Sequence, residues 1–226
     1  MTQGTGTPAT ILFAGSGVLF DLSSIARSVS GGLAERAEAL VRDWRRELTV
    51  RVLGAQPGDA AESDYWGIVS AALDRAMHGL GIDDVAIRAR LMQKFLNVDP
   101  FPDAAPALRT LRSAGRRIGV LTNMTMTMVV SALKHGGLSR LVDVPLSTEH
   151  SGTMKPMCEA YTHAAERLRI APSDLCFVTS NVWDAEGAIR ASLRVMLLDR
   201  EGSNRPAPET ATHLASLAEL PTALGT

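Results

Sequence analysis

Hydroxyl, amide and carboxyl side chains stand at or just after the ends of three short apolar runs, which cover residues 11–13, 118–121 and 175–178. Hydroxyl and amide groups, with backbone N–H groups at such ends, can hold an anion, and a carboxylate can pair with a cation. If the runs are neighbouring strands, we expect these residues to form one site for a small anionic ligand. The candidates are Ser16, Thr122, Asn123, Thr179, Asn181 and Asp184.

The elements that would position these residues alternate along the chain. The apolar runs predict five buried strands, at Thr10–Phe13, Arg117–Leu121, Val142–Leu146, Leu175–Thr179 and Val195–Leu198. Helical patterns separate them, at Ala104–Ala114, Met128–His135, Cys158–Leu168 and Asp184–Ala191. This order predicts an α/β fold with a mainly parallel sheet and helices on both faces. Ligands of such folds bind at the carboxyl ends of the strands.

A helical block interrupts the alternation after the first strand. Its best helical patterns are Ala34–Leu48, Tyr65–His78 and Asp83–Phe95. We predict a core domain of residues 8–23 and 98–226, with a helical cap of residues 24–97 over the strand ends. Residues 202–208 predict a loop before a short C-terminal helix.

Composition excludes several classes of function. The 226 residues carry a formal net charge of −1 and only 4% aromatic residues, which disfavours binding to nucleic acid or to an anionic membrane. Cys158 and Cys176 are too few for a disulfide framework or a zinc site. The start of the chain lacks a basic, apolar leader and no window approaches membrane-spanning length, so we expect a cytoplasmic protein.

Four ordered segments carry a resemblance to a known family. They are residues 11–21, residues 120–123, Met154-Lys155-Pro156 with Tyr161, and residues 177–184. Together they resemble the four motifs of the haloacid dehalogenase superfamily, with its Rossmann-like sheet and a cap inserted after the first strand. The Ser-Asn-x-Trp-Asp pattern at 180–184, with Trp44-Arg45 and Tyr65-Trp66, is most similar to the L-2-haloacid dehalogenase branch. The likeness spans roughly residues 10 to 202.

The resemblance also shows where the sequence departs from that branch. The family's nucleophilic aspartate, the tyrosine two residues later and the threonine two residues after that correspond here to Ala14, Ser16 and Val18. A methyl group cannot attack carbon or ligate a metal. The phosphatases of the superfamily hold magnesium with the nucleophile and an acid of the fourth motif. Because only Asp184 remains of those side chains, we expect neither a metal nor another cofactor.

The rest of the implied site is present. The resemblance makes Lys155 a fixed positive charge beside the position of Ala14, and Asp184 its neighbour; these two are the catalytic candidates. Arg45, from the cap, is placed to bind a substrate carboxylate through two parallel hydrogen bonds. Two alternatives stay open: Asp184 has a structural role, and Arg45 belongs to a solvated helix face. The candidates for substrate binding are Arg45, Ser16, Thr122, Asn123, Tyr161, Thr179 and Asn181.

Three functions are compatible with this set of residues. The first is a repurposed enzyme, or enzyme subunit, of small-molecule biosynthesis that promotes ring closure or elimination without a covalent intermediate. The second is a non-catalytic partner or regulatory subunit of another protein. The third is a dehalogenase or phosphatase that uses Ser16 or a bound water as its nucleophile. The retained anion-binding residues favour the first.

The expected ligand of this pocket is a small anionic molecule that bears a carboxylate. Because enzymes of the resembled branch are commonly homodimers, we expect self-association unless a different protein takes the place of the second copy.

Overall fold

The computed structural model describes residues 8–29, 33–55, 64–202, 206 and 208–225. The start of the chain (residues 1–7) and residues 203–205 and 207 of the predicted loop lie outside this part. Among the helices of the described residues, none is long and apolar enough to cross a membrane.

Six parallel strands of the described chain form one sheet: β1 (Thr10–Phe13), β2 (Arg117–Thr122), β3 (Val144–Ser147), β4 (Leu175–Thr179), β5 (Arg194–Leu198) and β6 (Thr212–Leu214). Their order across the sheet is β3-β2-β1-β4-β5-β6. Phe13 pairs with Val120 on one side and Val178 on the other, so the carboxyl ends of the three central strands lie side by side. These strands are continuously apolar because helices cover both faces of the sheet.

The α-helices are α1 (Ser24–Arg27), α2 (Ala34–Gly54), α3 (Tyr65–Gly79), α4 (Val85–Leu96), α5 (Ala104–Ser113), α6 (Met126–His135), α7 (Cys158–Leu168), α8 (Val182–Arg190) and α9 (Leu220–Ala223). The predicted α/β class, with its parallel sheet and a helical block after the first strand, is confirmed. The exact boundaries proposed for core and cap stay a prediction.

Several elements differ by one or two residues from the sequence-based expectation, and three differences have a clear physical reason. Strand β3 begins at Val144 rather than Val142, and it contains Pro145, which a central strand would not tolerate but an edge strand does. Helix α2 continues six residues beyond Leu48, because Val52 extends its buried face. Strand β6 was not predicted, since three residues at a sheet edge carry too little pattern to be recognised.

The helices between β1 and α5 pack around buried aromatic side chains. Trp44 of α2 donates a hydrogen bond from Nε1 to the carbonyl oxygen of Val69 in α3, at 3.0 Å, and its ring lies 5.3 Å from that of Phe95 in α4. Trp44 is therefore part of the core between these helices. Its neighbour Arg45 points to a different face of α2, which forms part of the candidate site.

Candidate active site

The site begins at the carboxyl end of β1, where the central strand of the sheet reaches Ala14. The Ala14 N–H donates to the carbonyl oxygen of Val178 at 2.8 Å, so parallel pairing still fixes the backbone at this position. Ala14 is almost fully buried and its methyl group lines a cavity. Any side chain at this position would therefore point into a confined space beside the ends of β2 and β4.

A buried ion pair lies at the centre of the site. The Lys155 Nζ donates to Asp184 Oδ2 at 2.8 Å, and both side chains are at most 5% exposed. The same oxygen accepts from the Thr179 hydroxyl at 2.8 Å, and Oδ1 accepts from the Tyr161 hydroxyl at 2.5 Å. Three donors thus fix the carboxylate, which in turn fixes the ammonium group. The Lys155 Nζ also lies 4.9 Å from the centroid of the Phe177 ring.

The Tyr161 hydroxyl is a hydrogen-bond donor in this network. Burial raises the pKa of Tyr161 far above its usual range, and the adjacent Asp184 carboxylate raises it further. The phenol therefore remains protonated and acts as a hydrogen-bond donor. Tyr161 and Thr179 lie behind Asp184 and do not line the cavity, so the structure places these two predicted binding residues in support of Asp184.

Asn123 holds the backbone on both sides of the Lys155 side chain. Its Oδ1 accepts from the Lys155 N–H at 2.9 Å, and its Nδ2 donates to the Lys155 carbonyl oxygen at 3.1 Å. The Thr148 hydroxyl donates to the same Oδ1 at 3.2 Å. The amide predicted to bind an anion is thus engaged with the segment that carries Lys155, and it orients that segment against the end of β2.

One cavity of about 370 Å³ unites most of the predicted residues. The predicted residues that the core contributes are Ser16, Thr122, Asn123, Lys155, Asn181 and Asp184, and Ala14 lines the cavity with them. Arg45 of α2 lines the same cavity, although most of these core residues are distant from it in sequence. Among the described residues no ion pair involves its guanidinium, so that group is available to an anionic ligand.

Further lining residues escaped the sequence analysis. Helix α2 presents Arg42, Arg46, Leu48, Thr49 and Val52 in addition to Arg45, and the core adds Ser180. The α2 residues lie three, four or seven positions from Arg42 or Arg45, the spacing of one helix face, so the sequence did contain a signal. This spacing predicts the lining residues of α2 only when one residue of that face is already known to point at the site.

Gly17 lets the loop after β1 approach the end of β4. Its φ is +81°, and a Cβ at this position would overlap the Ser180 Oγ. Gly81 also has a positive φ, +62°, but no atom lies within 4 Å of the position that its Cβ would take. It therefore serves as a control for the backbone cost without the contact.

We expect Gly17→Ala to lower the free energy of unfolding by about 2–3 kcal/mol, a left-handed backbone cost of about 1–2 kcal/mol and the lower end of the overpacking cost, about 1 kcal/mol, because the Ser180 hydroxyl can rotate away from the new Cβ. Gly81→Ala should lose only about 1–2 kcal/mol, because it has the backbone cost alone. Chemical denaturation of both variants measures the difference. Equal losses would show that the contact between Gly17 and Ser180 does not constrain the loop.

A metal centre is not evident in the described part of the chain, where no three His, Cys, Asp or Glu side chains form a group that could hold an ion. Cys176 is buried within β4, which raises the pKa of its thiol to about 12 and makes it unreactive at neutral pH.

Comparison with known proteins identifies this arrangement. A family model described as a haloacid dehalogenase-like hydrolase matches residues 9–192. The chain belongs to the haloacid dehalogenase-like hydrolases. Within them it matches the L-2-haloacid dehalogenase branch that the sequence motifs resembled.

Relatives of this hydrolase are similar over nearly its whole length. The (S)-2-haloacid dehalogenase 4A of Burkholderia cepacia is 33% identical over 217 residues, which cover 92% of this chain and 91% of that protein. The (S)-2-haloacid dehalogenase 1 of Pseudomonas sp. (strain CBS-3) is 30% identical over 217 residues, 93% of each chain. A crystal structure of an L-2-haloacid dehalogenase superposes with a TM-score of 0.89 and 28% identity, covering 98% of this chain and 100% of the other.

These relatives correct the function that the sequence analysis favoured. A repurposed biosynthetic enzyme for ring closure or elimination, and a non-catalytic partner protein, were both argued from the loss of the aspartate at position 14. Both hypotheses are wrong, because proteins similar over more than 90% of the chain, in core and helical block alike, are named (S)-2-haloacid dehalogenases. The relatives favour the third hypothesis, a hydrolytic dehalogenase.

Proposed function

We propose that this hydrolase removes halide from C2 of a 2-halocarboxylate, and that water attacks the carbon directly. The observation that carries the proposal is the placement of Lys155 and Arg45 in one cavity at the end of β1. The unpaired Arg45 and the Lys155 ammonium group, which Asp184 holds in place, suit a reaction that starts from a carboxylate and releases a second anion. The names of the relatives support hydrolysis of a carbon–halogen bond rather than another displacement.

The proposed reaction is a single displacement. The oxygen of water forms a bond to C2 while the bond between C2 and the halogen breaks, and the halide leaves with the bonding electron pair. One proton of the attacking water passes to solvent and the other stays on the new hydroxyl group. The products are a 2-hydroxy acid, a halide ion and a proton. Position 14 contributes no atom to this step, because a methyl group can only shape the space beside C2.

Each side chain has a defined part in this proposal. Arg45 binds the substrate carboxylate, and Lys155 stabilises the negative charge that develops near the end of β1. Thr122, Ser16 and Asn181 border the same space and orient the substrate. Asp184 positions Lys155, as Asn123 does from the backbone side. Because Asp184 already accepts three hydrogen bonds, its role is to hold the ammonium group in place.

The test is halide release by the purified chain from the separate (S)- and (R)-enantiomers of 2-chloropropionate and 2-bromopropionate. Release that follows the chain through successive purification steps, with preference for one enantiomer, supports the proposal. No release from any of the four compounds at high protein concentration would refute it.

Arg45→Ala is expected to lower kcat/KM for halide release on the order of tenfold, since it removes a charged hydrogen bond worth about 1.5–3 kcal/mol when shielded and less at an exposed position. The matched control is Arg109→Ala, which removes an exposed arginine of α5 that does not line the cavity. Steady-state kinetics of both variants checks the prediction. An equal effect of the two substitutions would exclude Arg45 from substrate binding.

The remaining expectations from the sequence stay predictions. They are a cytoplasmic location, self-association as a homodimer or assembly with a different protein, and activity without a metal or other cofactor.

A further inference from the structure

The cavity carries more positive charge than one substrate carboxylate requires. Among the described residues its lining holds four cationic side chains and one carboxylate, that of Asp184, which pairs with Lys155. The three other cations are Arg42, Arg45 and Arg46 of α2. The acids beside Arg42 and Arg46, which are Asp43 and Glu47, lie 3.8 Å from them, near the outer limit for an ion pair. A substrate whose carboxylate binds Arg45 therefore leaves positive charge for a second anion.

Several hydrogen-bond donors that face the cavity have no acceptor within the described chain. The Lys155 ammonium group has three N–H bonds, and its only hydrogen bond to the described residues goes to Asp184 Oδ2. The Thr122 Oγ1 accepts from the Met124 N–H at 3.2 Å, while its own hydrogen is not donated to any described residue. The Ser180 hydroxyl, which also lines the cavity, makes no hydrogen bond to the described residues. These groups are donors for an anionic oxygen.

The two hydroxyls flank the loop that follows Ala14. A Cβ at Gly15 would lie 3.2 Å from Thr122 Oγ1, and a Cβ at Gly17 would overlap the Ser180 Oγ. The Ala14 methyl group lines the same cavity and is 3% exposed, so the space beside it is narrow. A small anion next to this methyl group therefore has hydroxyl donors on both sides of the loop.

We propose that the space beside the Ala14 methyl group binds an external carboxylate of one or two carbons, and that this carboxylate displaces the halide faster than water does. The inference rests on the proposed function, because it adds a second nucleophile to the same displacement. A carboxylate is favoured because the cationic lining attracts anions and because a carboxylate is a better nucleophile than water. The cavity of about 370 Å³ has room for such an anion beside a three-carbon halo acid.

The proposed step balances without a proton. An oxygen of the external carboxylate forms a bond to C2 while the bond between C2 and the halogen breaks, and the halide leaves with the bonding electron pair. The product is a 2-acyloxy acid, in which the external carboxylate has become an ester group. Hydrolysis of this ester at its acyl carbon consumes one water, returns the carboxylate and releases a proton. The resulting 2-hydroxy acid keeps one oxygen of the external carboxylate.

The first experiment measures halide release from 2-bromopropionate at rising concentrations of formate, acetate or trimethylacetate, with the uncatalysed rate subtracted. We expect a saturable acceleration of roughly tenfold with formate, because a bound nucleophile reacts more readily than one from solution. Acetate should accelerate less, and trimethylacetate, which supplies the same charge but is too bulky, should not accelerate. An absent or equal response to the three acids would overturn the inference, while halide release in their absence upholds the proposed function.

An oxygen label identifies the nucleophile directly. With formate enriched in heavy oxygen and ordinary water, mass spectrometry should find the label in the 2-hydroxy acid. Solvent oxygen alone in a reaction that contains saturating formate would overturn the inference. Labelled product together with no halide release in the absence of formate would support the inference and refute direct attack by water.

A matched pair of variants assigns the effect to position 14. Ala14→Val fills the space beside the strand end, so it should remove the acceleration by formate. Ala9→Val adds the same two methyl groups to an exposed alanine just before β1 that does not line the cavity, so it should keep the acceleration. Acceleration that persists in Ala14→Val would place the carboxylate elsewhere and overturn the inference.

Binding measurements separate this inference from the proposed function. Isothermal titration with formate requires no turnover, and thermal denaturation shows whether each variant is folded. If no compound loses halide, formate binding that is lost in Ala14→Val and kept in Ala9→Val would uphold the carboxylate site, although the displacement would fail together with the proposed function. Absence of formate binding to the unmodified chain would overturn the site itself.

Discussion

Ala14→Asp is expected to raise kcat for halide release from a 2-halocarboxylate on the order of a thousandfold. The substitution would place a carboxylate at the end of the central strand, in the cavity that Lys155 and Asp184 also line. A carboxylate held beside the carbon attacks far more readily than water, and loss of the nucleophile in another covalent hydrolase costs about a millionfold. The expected gain is smaller because Ser16 and Val18 also differ from the family pattern.

The source of the product oxygen tests the mechanism as well as the rate. In a single turnover in water enriched with heavy oxygen, the unmodified chain should place solvent oxygen in the 2-hydroxy acid. Ala14→Asp should instead deliver an oxygen from the protein carboxylate, since the ester formed at C2 is then hydrolysed at its acyl carbon.

Ala14→Asn is the matched control, because an amide of the same shape lacks the nucleophilic carboxylate. It should show no gain in rate and no change in the source of oxygen. Equal rates for the aspartate and asparagine variants would mean that the end of β1 does not face the reacting carbon. Protein oxygen in the product of the unmodified chain would exclude direct attack by water and point to a different side chain as nucleophile.

Lys155→Met is expected to abolish measurable halide release and to lower the free energy of unfolding by about 3–5 kcal/mol. The lysine is 4% exposed and donates to a carboxylate that is itself 1% exposed. Removal of one partner leaves an uncompensated charge in the interior, and this costs more than the pair contributes when both partners are present. Denaturation by urea and steady-state kinetics measure the two effects.

A double substitution separates the stability effect from the chemical one. In Lys155→Met with Asp184→Asn, no unpaired charge remains, so we expect recovery of about 1–3 kcal/mol relative to the single variant. Halide release should remain absent, because the cation is still missing. If the double variant regained activity together with stability, Lys155 would act only in folding. If the double variant did not regain stability, the hydrogen bonds from Thr179 and Tyr161 would depend on the full charge of the carboxylate.

The sequence by itself determined the fold of this protein and the positions of its polar motifs. Buried parallel strands must be apolar along their length, so β1, β2, β4 and β5 could be recognised as short runs. The residues just after such runs must meet at one edge of the sheet, and Thr122, Asn123, Asn181 and Asp184 do so. The alanine at position 14 was equally visible, since no contact is needed to know that a methyl group cannot act as a nucleophile.

The prediction of a different activity was wrong because it was based on the missing aspartate side chain at position 14. Ala14 removes one mechanism, and it carries no information about the reaction that remains. That information came from similarity across the whole chain to named dehalogenases.

Only the tertiary structure decided what each polar group is free to do. Asn123 and Tyr161 were candidates for substrate binding, yet the first holds the backbone of Lys155 and the second donates to Asp184. The face of α2 that carries Arg42, Arg45 and Val52 became part of the site through the way this helix packs over the strand ends. Hydrogen-bond partners and the rotation of a helix depend on residues distant in sequence, and local pattern does not encode them.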